Sequence, residues 1–331
     1  MLQRAAQWKP LLHLIQKGKG SRDSKNDSLA RDFSMYLGRK DYSTIILNDQ
    51  MQHLLSSARD VLLNSKNGLR HLATMTFGEH SPAAEDLLDR MNQITTYLRS
   101  YPPDVRVHTM DSYAETQDPT TIPRHQHLSS IPPWQALSVE TRRTLPLEFS
   151  LSITLYELFQ RSSTTNRNQS LICLFLTITI IHELAHIVMY TFASQDTPVK
   201  FYGNVPLKAD AEKGEAAASL ERVMFGGEVF LATPSSFTIE TVDPSHVIIL
   251  VATESKDNWK VLDKSIANLT DIVSGDWSHI SNVPTQPFPS GFSLVKPKSS
   301  DVKSSSPPAP SSSYGDYVVW VPPSNIRGVK Y

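Results

Sequence analysis

Apolar positions recur three and four residues apart over two early stretches, and each repeat predicts an amphipathic helix. In the first, Met51, Leu54, Leu55, Ala58, Val61 and Leu62 follow Asn48 and Asp49, and the pattern ends near Asn67-Gly68. In the second, Leu87, Leu88, Met91, Ile94 and Leu98 follow a Ser81-Pro82 start and stop before Pro102-Pro103. Residues 102–146 are rich in Pro, Thr and Asp and read as largely irregular, with one short strand. The period then changes to two. Leu147, Phe149, Leu151 and Ile153 alternate with Glu148, Ser150 and Ser152, the pattern of a half-buried strand, and a short helix to about Arg161 follows. A long apolar segment fills 168–193, and strand-like stretches run from Phe237 to Val242 and from Val247 to Val251. Helices and strands mixed in this order give an α+β class with a small mixed or antiparallel sheet.

Composition narrows the function classes. Thirty-two basic and 33 acidic side chains leave a formal charge of −1, a field too weak to recruit nucleic acid or an anionic membrane. The longest apolar run, Leu171 to Ile181, has 11 residues, against about 20 for a membrane span, so it reads as a buried helix. A single cysteine, Cys173, excludes intrachain disulfides and Cys-cluster zinc sites, and reads as a small core residue. Residues 1–40 carry nine Lys/Arg against three Asp and no secretory pattern, the profile of a polar arm or of a mitochondrial targeting segment. The expected location is therefore intracellular, cytoplasmic unless that arm directs import. Sequons at Asn26, Asn168 and Asn268 read as chance matches in that setting.

The chemistry is concentrated in residues 182–186, His-Glu-Leu-Ala-His. With 11 His in 331 positions, a random chain of this composition contains HExxH only about 0.01 times. On a helix, His182 and His186 share one face and can reach one cation. Glu183 is turned by about 100° and addresses a metal-bound water instead. The β-branched run Thr177-Ile178-Thr179-Ile180-Ile181 opposes a helix by propensity, and burial is expected to override it. A third ligand has to come from elsewhere. Residues 211–227 offer a helix ending at Gly226-Gly227, with Glu215 leading into Ala216, Ala217 and Ala218, whose small side chains permit close approach. Glu212 is the runner-up; Glu221 and Glu228 are weaker candidates. Tyr202, His246 and His279 are candidates for stabilising an oxyanion. His125-Gln-His127 and the isolated histidines read as ordinary polar positions.

His182, Glu183 and His186 resemble the zincin superfamily of zinc metallopeptidases. The metzincin branch requires Gly and His at fixed offsets after the second histidine; Tyr190-Thr191-Phe192 follow instead, so the resemblance is gluzincin-like. With the following Glu215-Ala216 helix it resembles ImmA/IrrE-type metallopeptidases, although Ala217 replaces their asparagine, and fungal proteins with HELAH followed by a GEA…LE…FGG helix. The resemblance implies a zincin-like fold in which the long active-site helix packs on a glutamate-bearing helix. It also implies Zn2+ held by His182, His186 and Glu215, Glu183 as general base, and a peptide or protein substrate. Two rivals are a catalytically silent scaffold acting by interaction and a metal-dependent enzyme for a small molecule. The expected organisation is a flexible basic arm over 1–40, a metallopeptidase-like domain over 41–283, a Pro/Ser-rich linker over 284–313, and a strand within 314–331 returning to the body.

Overall fold

A computed structural model describes residues 31–38, 44–77, 84–122, 133–162, 169–193, 216–253, 258–262, 280 and 282–295. The chain is mixed α+β. Strand β1 (Met35–Leu37) precedes helices α1 (Asp49–Asn64), α2 (Lys66–Phe77) and α3 (Ala84–Ser100). Strands β2 (Asp104–His108) and β3 (Ala114–Thr116), helix α4 (Val139–Thr144) and strand β4 (Glu148–Ser152) follow. Helices α5 (Ile153–Ser162), α6 (Gln169–Val188) and α7 (Ala216–Phe225) lead into β5 (Glu228–Pro234), β6 (Ile248–Ala252), β7 (Trp259–Leu262), β8 (Thr285–Gln286) and β9 (Phe292–Leu294).

Two sheets flank α6. The first has order β1-β2-β4-β3, parallel except for β3, which runs antiparallel to β4 at the edge. The second, β8-β7-β6-β5-β9, is antiparallel throughout. Helix α6 is apolar all round, which suits a helix surrounded by others. Leu171 to Phe175, Ile180, Ile181, Leu184 and Ile187 are all buried in one core with α1, α5 and both sheets. Leu171–Ala193 is long and apolar enough to cross a membrane, but it is buried among these elements, as the central helix of a core is. The β-branched run stays helical within the core, and Thr179 Oγ1 is satisfied locally, donating to the Phe175 carbonyl at 2.9 Å.

Helices α1 and α3 lie where the apolar repeats put them. Asn48 caps α1, its side chain accepting from the Met51 amide at 3.1 Å. The Asn67-Gly68 stop is corrected. The break falls at Ser65, and α2 continues through Gly68, because that glycine is a packing position. A Cβ there would lie 2.7 Å from Met224 Sδ on α7. The strand expected at Phe237 to Val242 is a turn. Val242 N–H donates to the Thr238 carbonyl at 2.8 Å, and Ile239 and Val242 are buried from this turn. Residues 102–146 hold two strands and a short helix rather than one strand.

The domain limits also shift. Met35–Leu37 of the supposed arm pairs in parallel with Val105–Val107, and β8 and β9 lie inside the span read as linker. Phe288, Phe292 and Leu294 explain the latter: they pack with Phe230 and Trp259 on the outer face of the second sheet. The strand expected near Tyr317 lies outside the described residues.

On β4 the expected half-burial is not seen. Glu148, Ser150 and Ser152 are as buried as Phe149 and Leu151. Arg106 on β2 makes this tolerable, its Nε donating to Glu148 Oε2 at 2.5 Å. A buried carboxylate needs such a partner.

Candidate metal and catalytic site

His182, Glu183 and His186 lie on the last two turns of α6, and successive side chains leave the helix in different directions. His182 and His186 lie one turn apart with ring centroids 5.0 Å from each other and planes inclined at 62°. His182 faces α7. Its Nδ1 lies 2.7 Å from Glu221 Oε1, and a carboxylate only accepts, so Nδ1 carries the proton. In the neutral ring Nε2 then keeps its lone pair for a cation. Glu183 faces the other way, toward the edge strand. Thr116 Oγ1 on β3 donates to Glu183 Oε2 at 2.7 Å, and its distance to the Glu183 carbonyl is 3.3 Å. The expected separation of two imidazoles from one carboxylate is therefore present, with each side held by a different element.

The helix end beyond His186 is clamped. A π-helical turn, Met189–Ala193, follows α6, and its carbonyls are bonded by side chains from the α4 region. Arg142 Nε donates to Thr191 O at 2.8 Å and Arg142 Nη2 to Phe192 O at 3.3 Å. Trp134 Nε1 donates to Tyr190 O at 3.0 Å. Helix ends expose unsatisfied carbonyls, and here three are tied down within seven residues of His186.

The strand beside the site is β3, and β4 lies one strand inward. Ser152 N–H donates to Tyr113 O and Gln117 N–H to Glu148 O, so residues 113, 115 and 117 turn their main-chain groups to β4. By the alternation of an antiparallel ladder, Ala114 and Thr116 turn theirs to the outer edge. Tyr113, just before β3, ties this edge to the second sheet by donating from Oη to Val295 O at 2.6 Å. Burial pushes its phenol pKa up.

Of the other sequence candidates, Glu215, Glu212, Tyr202, His279, His125 and His127 lie outside the described residues. Among the described residues no group of three His, Cys, Asp or Glu side chains completes a metal site. His246 is exposed in a short 3-10 turn over Pro244–His246. Glu228 forms a half-exposed ion pair with Arg222. Cys173 is buried with its thiol pushed up to about 12, so it stays protonated and offers no nucleophile. The chain matches no family model, no curated protein and no solved structure. Its site is therefore read from its own geometry.

That geometry fits a divalent cation as far as it is described. Two imidazoles sit one helical turn apart, and one of them is fixed in the tautomer a metal requires. Glu221, a weaker candidate by sequence, is the carboxylate that the structure places against His182. Its signal was the spacing to Gly226-Gly227: a carboxylate one turn before a tight helix-to-strand turn can bond the returning strand.

Proposed function

We propose that this protein is a zinc-dependent metallopeptidase acting on peptide or protein, with His182, His186 and Glu215 as metal ligands and Glu183 as general base. The observation that carries this reading is the divergence at the end of α6. His182 is held from one side by Glu221, and Glu183 from the other by Thr116. Glu212 is the alternative third ligand. Bound zinc would lower the pKa of a water toward about 7 and polarise a carbonyl. The Glu183 carboxylate then takes the proton of the attacking water and returns it to the leaving amine.

The arrangement of elements supports the fold expectation of a zincin. An active helix lies against a mostly parallel sheet whose single antiparallel strand is at the edge nearest the motif. The same edge supports a peptide over a small molecule, because Ala114 and Thr116 turn main-chain donors and acceptors outward beside Glu183, as strand addition requires. An intracellular location fits the single cysteine and stays part of the proposal.

Purified protein should carry about one zinc per chain, lost in the His182→Ala/His186→Ala double variant. Glu183→Gln should keep the metal and lose chelator-sensitive proteolysis by two or more orders of magnitude, as expected for removing a base. Stoichiometric zinc in the double variant, or full proteolysis by Glu183→Gln, would refute the reading. Zinc without proteolysis of any substrate tried would favour a silent scaffold.

A further inference from the structure

We infer that Glu221 is a positioning residue that sets the tautomer and aim of His182 and braces the metal site against the second sheet. This rests on the zinc reading above. The carboxylate is nearly buried and both oxygens are engaged. Oε1 takes the His182 Nδ1 proton at 2.7 Å, and Oε2 accepts the Val229 main-chain N–H at 2.9 Å. Val229 is in β5, so one side chain joins α7, α6 and the second sheet. A carboxylate is costly to bury unless its partners repay the lost hydration, and two directed donors do so here.

The same geometry separates Glu221 from the ligand role. A cation bound at Nε2 lies on the far side of the ring from Nδ1, and a carboxylate on Nδ1 does not reach it. The backbone explains why the position works. Helix α7 closes at Gly226, whose φ of +81° suits glycine, and its N–H returns to Arg222 O at 3.0 Å. Gly227 then passes so close to β6 that an added Cβ would meet the Ala252 carbonyl. This tight reversal brings the Val229 amide back beside Glu221, one turn before the end of the helix.

Glu221→Gln decides between positioning and simple stapling. Glutamine keeps the volume and can still accept from Val229 N–H through its carbonyl oxygen. Its NH2 then faces Nδ1 and favours the ring with the proton on Nε2, where a metal needs the lone pair. Zinc affinity, measured by competition with a chromophoric chelator, should fall 10- to 100-fold, the usual effect of losing such an outer partner, with the urea midpoint little changed. Nitrogen NMR of the metal-free protein should show His182 protonated on Nδ1 in the natural chain and shifted toward Nε2 in Glu221→Gln. Wild-type affinity together with an unchanged tautomer in the variant would overturn the inference. Loss of all zinc in Glu221→Ala alongside retention in Glu215→Ala would also overturn it, by making Glu221 a ligand. If the natural protein binds no zinc, the proposed function fails, while the tautomer measurement still decides the role of Glu221.

Discussion

Replacing Gly227 by alanine tests the joint between α7 and β5 on which the site depends. The added Cβ would stand 1.8 Å from the Ala252 carbonyl oxygen and 2.9 Å from Val251 Cγ1. Carbon and oxygen that are not bonded rest at about 3.3 Å or more, so β5 must retreat from β6 by roughly 1.5 Å. The obstacle is main chain in a five-residue ladder, which no rotamer change relieves. Overpacking of this kind costs about 1–3 kcal/mol. A shift of that size also pulls Val229 N–H from Glu221 Oε2, and a bond to a charged acceptor is worth about 1.5–3 kcal/mol. The expected loss is therefore about 3 kcal/mol or more by urea unfolding, with weaker zinc binding in parallel. The neighbouring Gly226→Ala is the control. It carries the backbone penalty of φ +81°, about 1–2 kcal/mol, and its new Cβ meets only the flexible Lys260 Nζ at 3.4 Å. A Gly227→Ala protein within about 0.5 kcal/mol of wild type, or more stable than Gly226→Ala, would refute the argument.

Three further outcomes follow from the same geometry. Thr116→Val removes the donor to Glu183 at constant shape; about 1.5–3 kcal/mol of lost orientation lowers kcat roughly 10- to 150-fold with KM and zinc content unchanged, and Thr116→Ser restores it. Steady-state kinetics on any cleaved peptide checks this, and wild-type kcat in the valine variant would end it. Arg142→Met leaves the carbonyls of Leu137, Thr191 and Phe192 without their guanidinium, so the urea midpoint should fall by the equivalent of about 2–3 kcal/mol while zinc affinity stays within a few-fold. His71, bonded to Ser219 Oγ at 2.9 Å where α2 meets α7, has its pKa lowered from 6.5 by burial. The unfolded chain then binds more protons below pH 6.5, so stability falls as pH drops through that value, and His71→Gln should flatten the slope in urea melts taken from about pH 7.5 to 5.

The sequence made legible whatever was periodic or motif-bound. The repeats of Met51 to Leu62 and Leu87 to Leu98 became α1 and α3, and HELAH lies on a buried helix despite its β-branched approach. Strand β4 was visible in its alternation, but the alternation misled about exposure, since Arg106 lies 42 residues away and no local pattern announces that it will pair with Glu148. Helix α2 was hidden because glycine has two uses. Gly68 looked like a terminator and serves as the point where Met224 approaches. Strand β3 is three residues long and carries no period, so the element that holds Glu183 could be found only in three dimensions. Glu215 is singled out by its neighbours in sequence. Glu221 is singled out only by a contact with a residue 39 positions away.

Four glutamates near the motif in space or sequence show why partner, and not position, assigns the chemistry. Glu148 is fully buried against a guanidinium, which neutralises it and fixes it as structure. Glu228 meets Arg222 in a half-exposed pair of small energetic weight. Glu221 takes a proton donor that is itself a candidate metal ligand, so its charge acts through the imidazole. Glu183 is held by a hydroxyl. A hydroxyl orients a carboxylate without cancelling its charge, which is what the proposed general base needs. Because that hydroxyl belongs to the outermost strand, anything pairing with the outer edge of β3 lies against the residue that sets the base. On the proposed reading, substrate placement and base placement share one anchor, Thr116, as hydrolysis of an extended chain would require.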